Sequence, residues 1–194
     1  MHWGYDIGAA NVTRGLVRRS GGWGVLARFS RLLCDPNRDP SDPTLVLRAC
    51  DDGVPSFNRR VDVAERVARF HAPFHAAVDD ALRANPPAFL VSVHSFTPVF
   101  RGHARGMEAG VLFDRHDALA ERWVRALNDV GVRTEANAPY SGKEGLIYSP
   151  SRHGTAQGVA YLELELRQDL IRTARQARHV SGLVWRSLLG ASLV

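Results

Sequence analysis

Leu90-Val91-Ser92-Val93-His94-Ser95-Phe96-Thr97-Pro98-Val99 is the stretch on which the fold turns. The apolar run from Phe89 to Val93 fits a strand buried on both faces, and at His94 it breaks into polar and turn-forming residues. The expectation is a central strand that ends at His94. In an open α/β sheet the ligand crevice lies beyond the carboxyl ends of the strands, so an imidazole placed there faces the ligand. A histidine satisfied by backbone groups at a strand end is the alternative, and this segment leaves both open.

Working outward, Val159-Ala160-Tyr161-Leu162-Glu163-Leu164-Glu165-Leu166 alternates from Leu162 on, a period of two that predicts a half-exposed strand. It leads through Arg167-Gln168-Asp169 into an amphipathic helix toward the C-terminus. Ala109 to Phe113 predicts another buried strand, and residues 114–129 a helix capped near Asp114 or Asp117 and ended by Gly131. Val132 to Ala136 fits a short edge strand. Asn137 to Gly142, Ser149 to Gly158 with His153, and the basic Arg101 to Gly106 read as loops.

Before the opening stretch, a helix is predicted over about residues 8–19, with Asp6 as N-cap or first-turn acid. Val25-Leu26-Ala27 suits a short strand, and residues 39–59 a loop region with at most a short strand at Leu45-Val46-Leu47. Val61 to Arg83 keeps one apolar face and predicts a long helix that Pro73 kinks or splits. His71 and His75 are four apart, the spacing of a two-histidine metal site, but without a Glu after the first the zinc-protease pattern is missing and a packing role is the plainer reading. Strands alternate with helices throughout. The fold class expected is α/β, a single domain with a mixed, mostly parallel sheet flanked by helices.

A chain of 194 residues fits one domain, and a hydrophobic share of 45% with 23% charged residues argues against global disorder. The net charge of +5 comes from arginine, Lys143 being the only lysine, and the arginines are scattered rather than gathered in a stripe. Nucleic-acid binding is therefore not expected. No apolar run approaches the ~20 residues needed to cross a bilayer, and the first residues have neither a basic nor an apolar signal region. Cys34 and Cys50 lack metal-type spacing, so a reduced cytoplasmic protein is expected, with a disulfide between them left open.

Four clusters near loops carry chemistry: His2 with Asp6, Arg31 with Asn37 and Arg38, His94, and Glu165 with Arg167. A water-activating metallohydrolase needs nitrogen and carboxylate ligands, a carboxylate beside the water, and cations for an anionic substrate and the developing oxyanion. All those residue types are here. Each also has a plainer reading, as a cap, a surface charge or an exposed strand position.

Together these residues carry a resemblance. His2-Trp3-Gly4-Tyr5-Asp6-Ile7-Gly8-Ala9, Ser30-Arg31-Leu32 with Asn37-Arg38, Pro73-Phe74-His75, Val91-Ser92-Val93-His94-Ser95-Phe96-Thr97-Pro98, Asn137-Ala138-Pro139-Tyr140-Ser141 and Glu165-Leu166-Arg167-Gln168-Asp169-Leu170 resemble, in order, the N-formylglutamate amidohydrolase family. That resemblance implies a fold similar to the zinc carboxypeptidases and hydrolysis of N-formylglutamate to glutamate and formate. It implies His94 as a metal ligand, Glu165 as the general base, Arg31 as the group polarising the scissile carbonyl, Asn37 and Arg38 as the grip on the substrate carboxylate, and Tyr140 as a mobile tyrosine. The cofactor implied is a divalent metal, zinc by expectation, and the partner a small N-acyl amino acid.

One departure stands beside the match. Family members usually carry, some tens of residues before the segment that holds Asp6, an apolar strand ending in His-Ala or His-Ser that resembles the source of the first metal ligand. This sequence does not contain it. Either the start is truncated, or the strand is lost and His2 and Asp6 substitute as ligands. A lost strand would leave an open sheet edge that a partner chain, such as a second copy, is expected to cover. The alternative function is a degenerate family member that binds an anionic small molecule or a partner protein without turnover.

Overall fold

The computed structural model describes residues 4–49, 53, 55–86 and 89–194. Helix α1 (Ala9–Ser20) turns its Val12 and Leu16 face inward and ends at Gly21 in the left-handed conformation. Gly8 stands at its N-terminus, and no side chain caps it. Asp6 is thus not the cap; its carboxylate is drawn to Arg31 and His94 instead. Residues 21–49 form no strand, and neither Val25-Leu26-Ala27 nor Leu45-Val46-Leu47 pairs with one. Leu45 and Val46 are nonetheless buried, and the Asn58 amide donates to the carbonyls of Leu32 and Leu47, so side chains hold these loops where a sheet ladder does not.

The long helix predicted over residues 61–83 is present in three joined parts. These are α2 (Val63–Arg66), a π turn (Val67–His71) and α3 (Ala72–Ala84). Pro73 explains the break: it lacks the N–H of a regular helical turn, and the wider turn just before it accommodates the ring. Strand β1 (Phe89–Phe96) follows, then a two-residue hairpin, β2 (Val99–Phe100) and β3 (His103–Ala104). The expected basic loop is the tip of this hairpin, where Arg101 and Gly102 both take positive φ, as a tight two-residue turn requires. Next come β4 (Ala109–Leu112), α4 (Asp117–Asp129) and β5 (Thr134–Ala136). His116, not Asp114 or Asp117, occupies the α4 N-cap, because Asp114 accepts from Tyr161 and Ser151 while Asp117 pairs with Lys143. Gly131 closes α4 as foreseen: the N–H groups of Gly131 and Val132 donate to the carbonyls of Asn128 and Leu127.

Helix α5 (Tyr148–Gln157) replaces the loop expected there. Its Pro150 lies in the first turn, where the missing N–H costs nothing, and Gly154 lets the helix press against the Tyr161 ring. Strand β6 (Ala160–Arg167) and α6 (Ala174–Gly190) complete the chain, the latter opened by a reciprocal Thr173–Gln176 capping box.

The four-stranded sheet has the order β1-β6-β4-β5. β1 is parallel to β6 and β4 to β5, whereas β4 and β6 run antiparallel, so the sheet is mixed and mostly parallel, with helices on both faces. Two expectations about its strands change. β1 is an edge strand among the described residues, and it runs past His94 because its ladder with β6 continues to Phe96 opposite Arg167. β6 is central and closed on both faces: Glu163 and Glu165 are 2% and 6% exposed. Successive side chains on a strand point to opposite faces. Leu162, Leu164 and Leu166 therefore join Val91, Val93, Ala109 and Val111 in the core beneath α1, α4 and α6, while Tyr161, Glu163 and Glu165 face the other way.

Candidate active site

On that second face the sheet and the loop over residues 30–47 enclose a cavity of about 240 Å³ whose lining includes Asp6, Arg31, Asn37, Arg38, His94, Tyr140, Glu163 and Glu165. Every expected site residue within the described part of the chain is gathered here. His2 lies outside the described residues.

The register explains how. His94 on β1 is paired with Glu165 on β6, and Gly110 on β4 is paired with Glu165 from the other side. Gly110 has to be glycine, because a Cβ there would collide with the Ala138 carbonyl oxygen. That close approach brings the loop carrying Tyr140 to the cavity wall. Tyr140 is 37% exposed, and its hydroxyl accepts from Arg105 Nη2 at 3.2 Å.

The charged groups form one connected set. His94 Nδ1 donates to Asp6 Oδ2 at 2.7 Å, and its Nε2 lies 3.4 Å from Glu163 Oε2. Arg31 donates to Asp6 Oδ1 at 3.2 Å and, through Nη2, to Asp35 Oδ2 at 2.6 Å. Glu163 Oε2 also accepts from Ser92 Oγ at 2.8 Å and from Asn37 Nδ2 at 3.0 Å. The Asn37 side chain is further engaged: its amide donates to the Leu146 carbonyl and its oxygen accepts the Ser149 N–H. Asn37 thus anchors Glu163 and α5. Arg38 is held beside it, with Nη1 on the Asn37 carbonyl at 2.9 Å and Nε toward Thr44 Oγ1 at 3.3 Å.

This burial sets the protonation states. Burial pulls the His94 pKa down, but the charge of Glu163 and the hydrogen bond and charge of Asp6 outweigh it and raise His94 to about 10, so it is an imidazolium. Burial alone would raise Asp6; the hydrogen bond and charge of His94, with Arg31 behind them, hold it below the usual carboxylate range. Glu165 goes the other way. Burial, reinforced by Glu163 and Asp6, pushes it up to about 8 against the pull of His94 and Arg31. Its Oε2 is buried and has no hydrogen-bond partner among the described residues.

Whether this set fits a metal is decided by its donors. Both ring nitrogens of His94 face carboxylates, and among the described residues no group of three or more His, Cys, Asp or Glu side chains is placed to hold a metal ion. Asp6 and His94 meet as an ion pair rather than as ligands around one point. The described residues alone do not make a metal centre. Of the participants, Glu163 reads in the sequence as one side of an ordinary alternating strand. Its place two residues before Glu165, on the same strand face, was the available signal. Asp35 and Ser92 gave none.

The family profile for N-formylglutamate amidohydrolase matches residues 1–172. The chain belongs to the N-formylglutamate amidohydrolase family. Among solved structures it is similar to the gene product Atu2144 from Agrobacterium tumefaciens, with a TM-score of 0.88 and 27% identity over 99% of this chain and 79% of that one. It is also similar in fold to the N-formylglutamate amidohydrolase from Ralstonia eutropha JMP134, with a TM-score of 0.63 and 19% identity over 92% of this chain and 79% of that one. No curated protein matches it. The α/β architecture is thus that of this amidohydrolase family. No helix among the described residues is long and apolar enough to cross a membrane.

Proposed function

We propose that this chain hydrolyses the amide of a small N-acyl amino acid with an acidic side chain, N-formylglutamate being the reference substrate. The observation that carries the proposal is Glu165. It is a buried carboxylate on the cavity wall with one oxygen unpartnered among the described residues and a pKa raised to about 8, the properties of a general base that works near neutral pH. In its ionised form it takes a proton from a water molecule, and the resulting hydroxide attacks the acyl carbon. Arg31, held in place by Asp6 and Asp35, and the His94 imidazolium supply fixed positive charge on the same cavity for the oxyanion that develops. Arg38 receives the substrate carboxylate through its guanidinium. The proton held by Glu165 then passes to the leaving amine, which departs as the free amino acid beside formate.

Asp6, Glu163 and Asn37 position the groups that react. The test is formate release from N-formylglutamate by protein purified without chelator, with its metal content measured on the same sample. Formate release supports the proposal, and the metal content decides whether residues beyond the described set bring in an ion. Tight binding of glutamate without any formate release would replace it with the binding-only reading.

A further inference from the structure

Outside the cavity, a buried row of imidazoles links the surface to the back of the loop that carries Asn37 and Arg38. His71, His75 and His153 are all 3% exposed or less. His153 Nδ1 lies 2.7 Å from Asp79 Oδ1, and His153 Nε2 lies 2.7 Å from His75 Nδ1. His75 Nε2 lies 3.2 Å from His71 Nε2 and 3.1 Å from the Pro36 carbonyl oxygen, and His71 Nε2 lies 3.0 Å from the Arg38 carbonyl oxygen. The row thus ends on the main chain on either side of Asn37.

Proton counting fixes its direction. Burial holds all three rings below their usual pKa, His75 down to about 3, so each is neutral and carries one N–H. The Asp79 carboxylate only accepts, so His153 carries its proton on Nδ1 and its Nε2 is bare. His75 must then donate from Nδ1, which leaves His75 Nε2 bare as well. It accepts from His71 Nε2, whose proton is shared with the Arg38 carbonyl. The Pro36 carbonyl meets a nitrogen with no proton to give. The loop is therefore fastened to the helix at Arg38 and left unfastened at Pro36.

We propose that Asp79, His153, His75 and His71 are positioning residues, and that Asp79, by dictating the order of protons along the row, sets how tightly the loop bearing Arg38 is held. The inference rests on the reading of Arg38 as the grip on the substrate carboxylate. Replacing Asp79 by asparagine offers His153 Nδ1 a donor, so the row can reverse: His153 donates from Nε2, His75 accepts at Nδ1, and His75 Nε2–H reaches the Pro36 carbonyl. His75→Leu instead removes the middle of the row. The two variants should act in opposite directions, which a merely structural role would not produce.

The experiment combines ring-nitrogen NMR of the histidines, amide hydrogen exchange over residues 36–42, and KM and kcat for formate release. In the wild type, His75 and His153 should be protonated on Nδ1; in Asp79→Asn, on Nε2. Asp79→Asn should slow loop exchange and lower KM severalfold, His75→Leu should speed exchange and raise KM severalfold, and kcat should stay within about twofold in both. Wild-type His75 protonated on Nε2, or loop exchange shifted in the same direction by both variants, overturns the proposal. NMR and exchange need no turnover. If they come out as expected in a protein that releases no formate, the positioning row stands and only the hydrolytic reading falls.

Discussion

His75 allows a quantitative test of how deeply its row is buried. Its folded pKa of about 3 lies below the ordinary 6.5, so the group favours the folded state above pH 6.5, and that contribution is lost as the pH falls from 6.5 toward 3. At pH 5 the unfolded chain has been protonated at this site through 1.5 units and the folded chain hardly at all; at 1.36 kcal/mol per unit this is about 2 kcal/mol of stability lost relative to pH 7.5. The wild type alone would not display it. His94 and Glu165 have raised folded pKa values, and both gain stability as the pH falls through the same region, His94 down to 6.5 and Glu165 down to 4.5. The measurable quantity is a difference. His75→Phe keeps a ring of similar size and cannot titrate, whatever it costs at neutral pH. Urea unfolding of both proteins at pH 7.5 and 5.0 should show the variant gaining on the wild type by about 2 kcal/mol at the lower pH. An unchanged gap between the two proteins would mean that His75 is protonated as readily in the folded chain as in water, and the burial argument would be wrong.

At the cavity, Glu165→Gln should lower kcat for formate release by 10²-fold to 10⁴-fold with the fold intact by circular dichroism; near-normal turnover would remove Glu165 as the base. Arg38→Lys should raise KM about tenfold, because an ammonium cannot reproduce the guanidinium fork, and an unchanged KM would place the carboxylate elsewhere. Leu164→Ala, at a position with no exposure in the central strand, should cost 2–5 kcal/mol in denaturant unfolding, whereas a loss under about 1 kcal/mol would show a core able to collapse around the cavity.

Periodicity made the framework legible where a strand or helix had one polar and one apolar side, as in α1, α4, α6 and β6. It failed where composition outweighed pattern. Ser149, Pro150, Gly154 and Gly158 read as a loop because each is a turn former in isolation, yet Pro150 and Gly154 occupy the two places in α5 that favour them: the first turn and the contact with Tyr161. Val25-Leu26-Ala27 has strand composition but no neighbour to pair with among the described residues. The alternation of β6 marks a strand but not its environment, since a polar face turned to a cavity looks in sequence like one turned to water. The residue types at the site were visible, but their pairing was not. Asp6 meets His94 and Asn37 meets Glu163 only through the packing of the loops against the sheet, and no spacing along the chain encodes that.

The two faces of β6 also bear on what changes the protein can tolerate. Five consecutive residues, Leu162 to Leu166, supply leucines to the core and carboxylates to the cavity in strict alternation. Substitution therefore damages one property at a time: a change at Glu163 or Glu165 affects chemistry, one at Leu162, Leu164 or Leu166 affects packing. Inserting a single residue spares neither, because every side chain beyond it changes sides and acids enter the core as leucines enter the cavity. Two inserted residues restore the parity. Along this strand, length variation should come in even steps or not at all.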